Sequence, residues 1–243
     1  MSQDSSSKNN LPSHPAEPPA KQPLNPLSIW IPVILIALGL VVFWNYLNKL
    51  KHEQLTPRLP ILSRLEKNFT FTDQNAQQVE LQQAKGKIIV ACWVFTRCPR
   101  GCPGVVAEMR KLYLELGGEA NADIQFISAS VDPDDKPEDL NKFMENFKIQ
   151  GKNWWFVTGP KDDLRHYMTK YFGFQQVQDV PEAERLTPDD KFLHDMKVAL
   201  VDHRGHVRGL YDISSPDPEF AKFFQDKIRT DIKTLLEEKK NDG

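Results

Sequence analysis

Two of the chain's three cysteines stand close together in the segment FTRCPRGCP, residues 95–103. Cys98 and Cys102 are four positions apart, and a proline follows each of them. A thiolate is both a nucleophile and a soft metal ligand, so the pair could react with other thiols and disulfides or could bind a metal ion. Four interpretations are open at this point: a structural disulfide, a dithiol redox pair, half of a metal site, or chance.

The surroundings of the cysteine pair favour the redox and metal interpretations. Pro103 suits the first turn of a helix, and apolar residues recur at helical spacing over residues 103–116. A helix N-terminus, together with Arg97 and Arg100, favours the thiolate form. The spacing C-x-x-x-C is one residue longer than the C-x-x-C of dithiol oxidoreductases. A structural zinc site takes four protein ligands and the chain has no second cysteine pair, whereas soft thiolates suit Cu(I).

A third ligand would be a histidine, and the chain has six. Three of them are poor candidates because of where they occur. His14 is in the N-terminal tail, His52 is beside an apolar segment, and His166 is in a predicted helix. His203 and His206 flank a predicted hairpin turn, where we expect them to be solvated. His194 precedes a strand that we expect to lie beside the cysteine strand. The residues alone leave its role undecided.

The pattern from about residue 69 onward predicts an α/β fold. Three apolar runs predict buried strands and are each followed by a helical pattern: strands at 87–95, 123–131 and 153–159, and helices at 103–116, 136–148 and 161–173. Alternating residues before them predict an added N-terminal β-hairpin. A second hairpin turns at Arg204–Gly205, and a last helix begins near Asp217. This order matches a thioredoxin-like fold, with the cysteines at the carboxyl end of the first central strand.

The last helix has a predicted apolar stripe, by which we expect it to pack on the sheet. The stripe consists of Phe220, Phe224, Ile228, Ile232 and Leu235. Between the second and third strands stands the acidic run DPDDKPED, which is typical of a solvated loop and a helix cap. Its first residue, Asp132, is interpreted as a turn residue or as a group that orients a ligand.

The N-terminal part of the chain has a different composition from the rest. We predict a disordered tail at 1–26, a membrane anchor at 27–47, a juxtamembrane linker at 48–65 and a globular domain at 66–238. The anchor has no charged residue and, as a helix, reaches roughly 30 Å, the thickness of the hydrocarbon core. A cleaved signal peptide is the alternative, but the apolar run is long and no A-x-A site follows it.

Several ordered motifs resemble the Sco/SenC family of copper-delivery proteins. FTRCPRGCP is similar to the family's C-x-x-x-C-P copper-site signature, and His194 stands eight residues before Asp202, as a histidine does before the aspartate of the family's L-V/I-D-x-x-G strand. ISASVDPDDKPEDLNKF and FVTGPKDDLRHYMTKYFG are similar to the segments between them. The sequence departs from the family pattern at Asp195, where Ser or Thr is usual, and at Ala199, where an aromatic residue is common.

The resemblance implies a thioredoxin-like fold and copper bound by Cys98, Cys102 and His194. It implies a copper metallochaperone that serves the binuclear copper site of cytochrome c oxidase or a similar copper enzyme, holding Cu(I), with Cu(II) left open. A disulfide between Cys98 and Cys102 could not bind copper, so in an oxidising compartment we also expect a thiol reductant as a partner. The alternative is a membrane-bound thiol–disulfide oxidoreductase in which Cys98 and Cys102 are catalytic, so whether the protein is an enzyme stays undecided.

The location follows from the resemblance and from the composition of the tail. The tail has no arginine and carries Asp4 and Glu17, unlike a mitochondrial presequence, so we expect a single-pass protein of the bacterial cytoplasmic membrane with its domain on the periplasmic side. The lysines and arginines flanking the anchor, which are more numerous after it than before it, favour the reverse orientation. The net charge of −2 gives no pull toward nucleic acid, and we expect none as a partner.

Overall fold

The computed structural model describes residues 26–55, 59–99 and 102–242. The chain divides into two compact units, Met1–Pro57 and Arg58–Gly243. Apart from Pro26, the predicted disordered tail lies outside the described residues. The four predicted domain boundaries stay predictions.

The first unit contains one long helix, α1 (Pro26–Leu55). Pro32 lies within its first turns, where a missing amide proton costs little hydrogen bonding. The stretch Trp30–Asn48 is long and apolar enough to cross a membrane, and none of it is buried against protein. Such an exposed apolar surface is unfavourable in water. Helix α1 is therefore the candidate anchor, and it overlaps the predicted span.

The second unit is built on an eight-stranded mixed sheet. In chain order its strands are β1 (Ser63–Arg64), β2 (Thr70–Asp73), β3 (Gln78–Glu80), β4 (Ile88–Val94), β5 (Ile124–Ser130), β6 (Trp154–Thr158), β9 (Val198–Val201) and β10 (His206–Tyr211). Their spatial order is β1-β10-β9-β4-β5-β6-β2-β3. Strands β4, β5 and β6 are parallel, and β9 is antiparallel to β4. A separate two-stranded ribbon pairs β7 (Gln178–Asp179) with β8 (Phe192–Leu193).

Four helices cover the sheet. They are α2 (Cys102–Glu115), α3 (Pro137–Asn146), α4 (Lys161–Phe172) and α5 (Pro218–Asp242). The three internal helices were predicted within three residues of these bounds. Helix α4 ends at Gly173, whose φ of +81° is the left-handed conformation that glycine adopts at a helix C-terminus.

The sheet separates two apolar cores, and β4 contributes to both. Its alternate residues, such as Ala91 and Trp93, face the core that α4 covers. The residues between them, such as Cys92 and Val94, face the core formed with α2, α3 and α5. All seven residues of β4 are buried, as its nearly continuous apolar sequence predicts for a strand covered on both faces.

The two predicted hairpins are present. Strands β2 and β3 pair with each other, and β2 also pairs with β6, so the N-terminal hairpin extends the sheet at one edge. Strands β9 and β10 turn at Gly205, which has a φ of +83°. One part of the predicted apolar stripe on the last helix is wrong. Phe220 is 59% exposed, because the contact of α5 with the core begins only at the partly buried Phe224.

Candidate metal centre

The loop between β4 and α2 carries Cys98. Its first residue, Phe95, is buried, and the backbone N–H of Cys98 donates to the carbonyl of Phe95 at 3.1 Å, which closes a tight turn. The side chain of Cys98 is half-buried and packs against the core that α4 covers. The loop therefore holds this thiol at the surface of the sheet's carboxyl edge rather than on a flexible tip.

Cys102 is the first residue of α2, one residue before the helix start predicted at Pro103. Its backbone thus lies at the helix N-terminus, where unpaired amide groups and the helix dipole favour an anionic side chain. The side chain of Cys102, like Arg100 and Gly101, lies outside the described part of the chain.

A buried polar network fixes the start of the cysteine loop. The guanidinium of Arg97 pairs with the carboxylate of Asp132, and the hydroxyl of Thr96 donates to Asp135 at 2.6 Å. The hydroxyl of Ser130 donates to the other oxygen of Asp135, also at 2.6 Å. Because both loop residues are tied to the segment after β5, the loop cannot move without breaking bonds to buried carboxylates.

This network corrects one sequence expectation. The acidic run was interpreted as a solvated loop, but Asp132 and Asp135 are 1% and 3% exposed. Burial raises the pKa of Asp135, although the hydroxyl groups of Ser130 and Thr96 oppose that shift. Hydrogen bonding to Asp132 raises the pKa of Arg97. Sequence reasoning missed Thr96 and Asp135, since neither a single threonine near Cys98 nor one aspartate of an acidic run carries a distinctive signal.

His194 lies in the segment between β8 and β9. The register Cys92↔Val198 places the start of β9 beside the end of β4, so His194 belongs to the same sheet edge as the cysteine loop. Its ring Nδ1 lies 2.9 Å from the backbone oxygen of Asp195. A carbonyl can only accept, so Nδ1 carries the proton in the neutral ring and the lone pair is on Nε2. This is the tautomer that a metal-binding histidine adopts when a second group orients it.

The carboxylate of Asp195 is turned toward backbone amides. Its two oxygens accept from the N–H of Lys197 at 3.0 Å and from the N–H of Gln175 at 3.3 Å. Asp195 therefore shapes the turn before β9 with its side chain and orients His194 with its backbone oxygen. The departure from the family pattern at this position serves the local fold.

An aromatic contact connects the two segments that carry Cys98 and His194. The ring centroids of Phe95 and Phe192 are 5.6 Å apart. The guanidinium of Arg165 lies over the ring of Phe192, with 4.7 Å between its central carbon and the ring centroid, and donates to the backbone oxygen of Val131 at 2.7 Å. The cysteine loop, the loop after β5 and the histidine segment thus converge on one patch.

The other histidines and the third cysteine lie elsewhere. His166 is exposed on α4, and His203 and His206 belong to the β9–β10 turn, where they are half-buried rather than solvated as expected. Cys92 is buried within 3.5 Å of the Ser128 hydroxyl, and burial raises the pKa of its thiol to about 12. Cys92 is therefore a small apolar core residue, as predicted.

Within residues 26–55, 59–99 and 102–242, no three described His, Cys, Asp or Glu side chains form a group that could hold a metal ion. The side chain of Cys102 is not among them. The structure thus brings Cys98 and His194 to the same edge of the sheet and places the backbone of Cys102 at the adjacent helix start. The three-ligand set as a whole stays a prediction.

Comparison with known proteins decides the family. A family model described as SCO1/SenC matches residues 60–229, which is most of the chain. The chain belongs to the SCO1/SenC family. The membership predicted from the cysteine, aspartate and histidine motifs is therefore confirmed, and with it the thioredoxin-like fold.

Relatives are similar over most of this SCO1/SenC chain. The SCO1 protein homolog of Bacillus subtilis is 33% identical over 168 residues, which are 68% of this chain and 80% of that protein. The crystal structure of a SCO1/SenC family lipoprotein from Bacillus anthracis is 32% identical with a TM-score of 0.61, over 72% of this chain and 97% of that one.

Two further solved structures share the fold. BsSco, a member of the Sco family of cytochrome c oxidase assembly proteins in which a disulfide switch was identified, is 31% identical with a TM-score of 0.59, over 74% of this chain and 98% of that one. ScoI from Bradyrhizobium japonicum, whose structure has copper bound, is 22% identical with a TM-score of 0.55, over 70% of this chain and 98% of that one.

Proposed function

We propose that this protein is a membrane-anchored copper metallochaperone in which Cys98, Cys102 and His194 hold one copper ion. It delivers that ion to the binuclear copper site of cytochrome c oxidase or of a similar copper enzyme. The observation that carries the proposal is the orientation of His194, whose Nδ1 lies 2.9 Å from the backbone oxygen of Asp195 at the sheet edge that also carries Cys98. Two soft thiolates and one imidazole suit Cu(I). Membership of the SCO1/SenC family supports the same donor set.

Delivery follows from ligand exchange. Copper is the cargo, so it leaves as the ion that was bound, without a change of oxidation state. A thiolate of the acceptor forms a bond to copper as one of the three ligands breaks its own, and the exchange repeats until the acceptor holds the ion. At every stage of the exchange, copper is bound to at least one ligand of the donor or of the acceptor, so free copper is not released.

The cysteines must be reduced before they can accept copper. If Cys98 and Cys102 form a disulfide, neither sulfur is a thiolate ligand. Restoring the pair takes two electrons and two protons, which a dithiol reductant supplies as it becomes a disulfide itself. We therefore infer a thiol reductant as the second partner, since extracytoplasmic compartments are oxidising.

A second function is a thiol–disulfide oxidoreductase that uses Cys98 and Cys102 without metal. The start of α2 at Cys102 favours it, because a helix N-terminus stabilises a thiolate. A disulfide switch was identified in a relative, BsSco, and this also supports thiol–disulfide chemistry as a second function. This function does not require His194, so the two functions make different demands on that residue.

Copper transfer tests the proposed function. The reduced full chain, in nonionic detergent and loaded with one equivalent of Cu(I), is mixed with a copper-free oxidase copper-site domain, and both are separated and assayed for copper. We expect transfer from the wild-type protein and from Cys92→Ala, the matched control for the loss of a cysteine. Cys98→Ser and Cys102→Ser should retain no copper to transfer. Full copper retention in both of these variants would contradict the proposal.

We further propose that α1 anchors the protein in the bacterial cytoplasmic membrane with the second unit on the periplasmic side. The length and apolar composition of Trp30–Asn48 support the anchor, and a relative from Bacillus anthracis is a lipoprotein. Alkaline phosphatase fused after Gly243 should be active, while a fusion placed before Met1 should be inactive. The reverse pattern would refute the orientation.

A further inference from the structure

A second site lies at the end of β4 opposite the cysteine loop. A cavity of about 270 Å³ opens there beside the start of β4. Three segments that are far apart in the sequence form its walls: residues 65–68 before β2, residues of the stretch 81–89 that leads into β4, and the β9–β10 turn at 202–205. None of the proposed copper ligands lines it, so this cavity is separate from the metal centre.

Unpaired positive charge is the main feature of the cavity. Lys67, Lys85 and Lys87 line it, and among the described residues none of the three has an ion pair. Lys87 is half-buried, whereas Lys67 and Lys85 are exposed. Positive charges that line one cavity repel one another, and an anion bound there would relieve that repulsion.

The other charged residues of the cavity leave its positive charge in excess. Arg204 pairs with Asp242 at 2.5 Å. The carboxylate of Asp202 is engaged by the guanidinium of Arg208 at 2.8 Å and by the backbone of His206. Glu66, which is exposed, is the remaining acidic residue in the lining. One carboxylate therefore faces three lysines that have no ion pair.

We propose that this cavity binds a phosphate group. Lysine ammonium groups are compact charges with three donors each, and several of them suit a tetrahedral oxyanion that can carry two negative charges better than a carboxylate that carries one. Two apolar residues of the lining that keep a little exposed surface, Leu81 and Ile89, would contact an organic substituent on that phosphate. The headgroup of an anionic phospholipid and a soluble phosphate ester share this chemistry.

Binding of inorganic phosphate to the full chain in nonionic detergent is the first arm of the test, measured by isothermal titration calorimetry in a chloride buffer. We compare the wild-type protein with Lys85→Gln/Lys87→Gln and with Lys222→Gln/Lys233→Gln, a control that removes two exposed lysines of α5 outside the cavity. We expect one site per chain. We also expect at least about tenfold weaker binding in the cavity variant alone, since hydrogen bonds to charged groups are the strong ones. Equal copper binding and equal thermal unfolding of the three proteins would show that both variants fold.

Lipid binding is the second arm. The full chain is reconstituted in phosphatidylcholine vesicles with or without phosphatidylglycerol, and labelling of Lys87 by an amine reagent is followed by mass spectrometry, with Lys222 as the reference. Protection of Lys87 that requires phosphatidylglycerol identifies a lipid headgroup as the ligand. Phosphate binding without lipid-dependent protection identifies a soluble phosphate compound. The proposal is overturned if neither arm distinguishes the cavity residues from the control residues, a result that would leave the copper function untouched.

Discussion

The rings of Phe95 and Phe192 pack with their centroids 5.6 Å apart, and this contact joins the cysteine loop to the segment that carries His194. Phe95 stands three residues before Cys98, and Phe192 stands two residues before His194. The two segments are far apart in the sequence, so their relative position depends on contacts of this kind. We therefore expect the proposed copper site to depend on core packing as well as on its three proposed ligands.

Replacing Phe192 by a smaller side chain should weaken copper binding more than the loss of folding stability alone explains. We expect Phe192→Leu to lower the free energy of unfolding by about 1 kcal/mol, a common value for a point substitution, and to weaken Cu(I) retention against a chelator. Phe143→Leu is the matched control, because Phe143 is 7% exposed, close to the 8% of Phe192, and lies in the other core. Equal copper affinities in the two variants would show that the contact does not position the site.

The ion pair between Arg97 and Asp132 should stabilise the cysteine loop. Arg97→Gln leaves the fully buried carboxylate of Asp132 without its main partner, so the unfolding free energy should fall by roughly 1–3 kcal/mol. The same substitution in an Asp132→Asn background should cost much less, because no buried charge is then left unpaired. Urea unfolding of the four proteins measures the coupling.

Arg64→Gln is the control for that cycle. Arg64 is exposed, and no ion pair joins it to any described residue. Its substitution should leave the unfolding free energy within about 0.5 kcal/mol of the wild type. Identical costs of Arg97→Gln in both backgrounds would contradict a role for the ion pair.

Asp202 should make stability depend on pH. Burial alone would raise its pKa, but hydrogen bonds from the backbone N–H of His206 and from Arg208 outweigh burial, and the pKa is lowered. The ionised carboxylate therefore stabilises the fold at pH values above the ordinary value of 3.8, and this contribution is lost as the pH falls through the folded pKa. In urea unfolding, Asp202→Asn should be less stable than the wild type by about 1–3 kcal/mol at pH 7.

The difference between Asp202→Asn and the wild type should begin to shrink as the pH approaches the ordinary value of 3.8, and should go on shrinking below it, down to the lowered pKa of the folded state. Glu145→Gln is the control, since Glu145 is exposed and no ion pair joins it to another described residue. A stability difference that does not change with pH over this range would mean that the charge of Asp202 does not stabilise the fold.

Much of the fold could be predicted because its elements have strong local patterns. The continuous apolar sequence of β4 indicates a strand covered on both faces, and Gly173 marks the end of α4. The exposure of Phe220 could not be predicted in this way. Helical periodicity identifies an apolar face, but only the tertiary structure decides where along the helix the core contact begins.

The positions of the proposed ligands in the fold could be predicted from the sequence better than the contacts that surround them. The spacing of Cys98 and Cys102 and the position of His194 before β9 are visible in the sequence. The burial of Asp135 depends on Ser130 and Thr96, which come together only when the sheet has formed. Long-range polar contacts of this kind have no periodicity and no spacing rule, so a single sequence does not reveal them.

The most direct test of the proposed three-ligand copper site is the copper stoichiometry of the reduced full chain, measured anaerobically in the presence of a competing Cu(I) chelator. The wild type is compared with His194→Ala and with His166→Ala, in which an exposed histidine of α4 is removed. We expect one tightly held copper in the wild type and in His166→Ala, and at least about tenfold weaker binding, equivalent to about 1.4 kcal/mol, in His194→Ala. Equal binding by all three proteins would contradict the three-ligand site, because His194 would then not be a copper ligand.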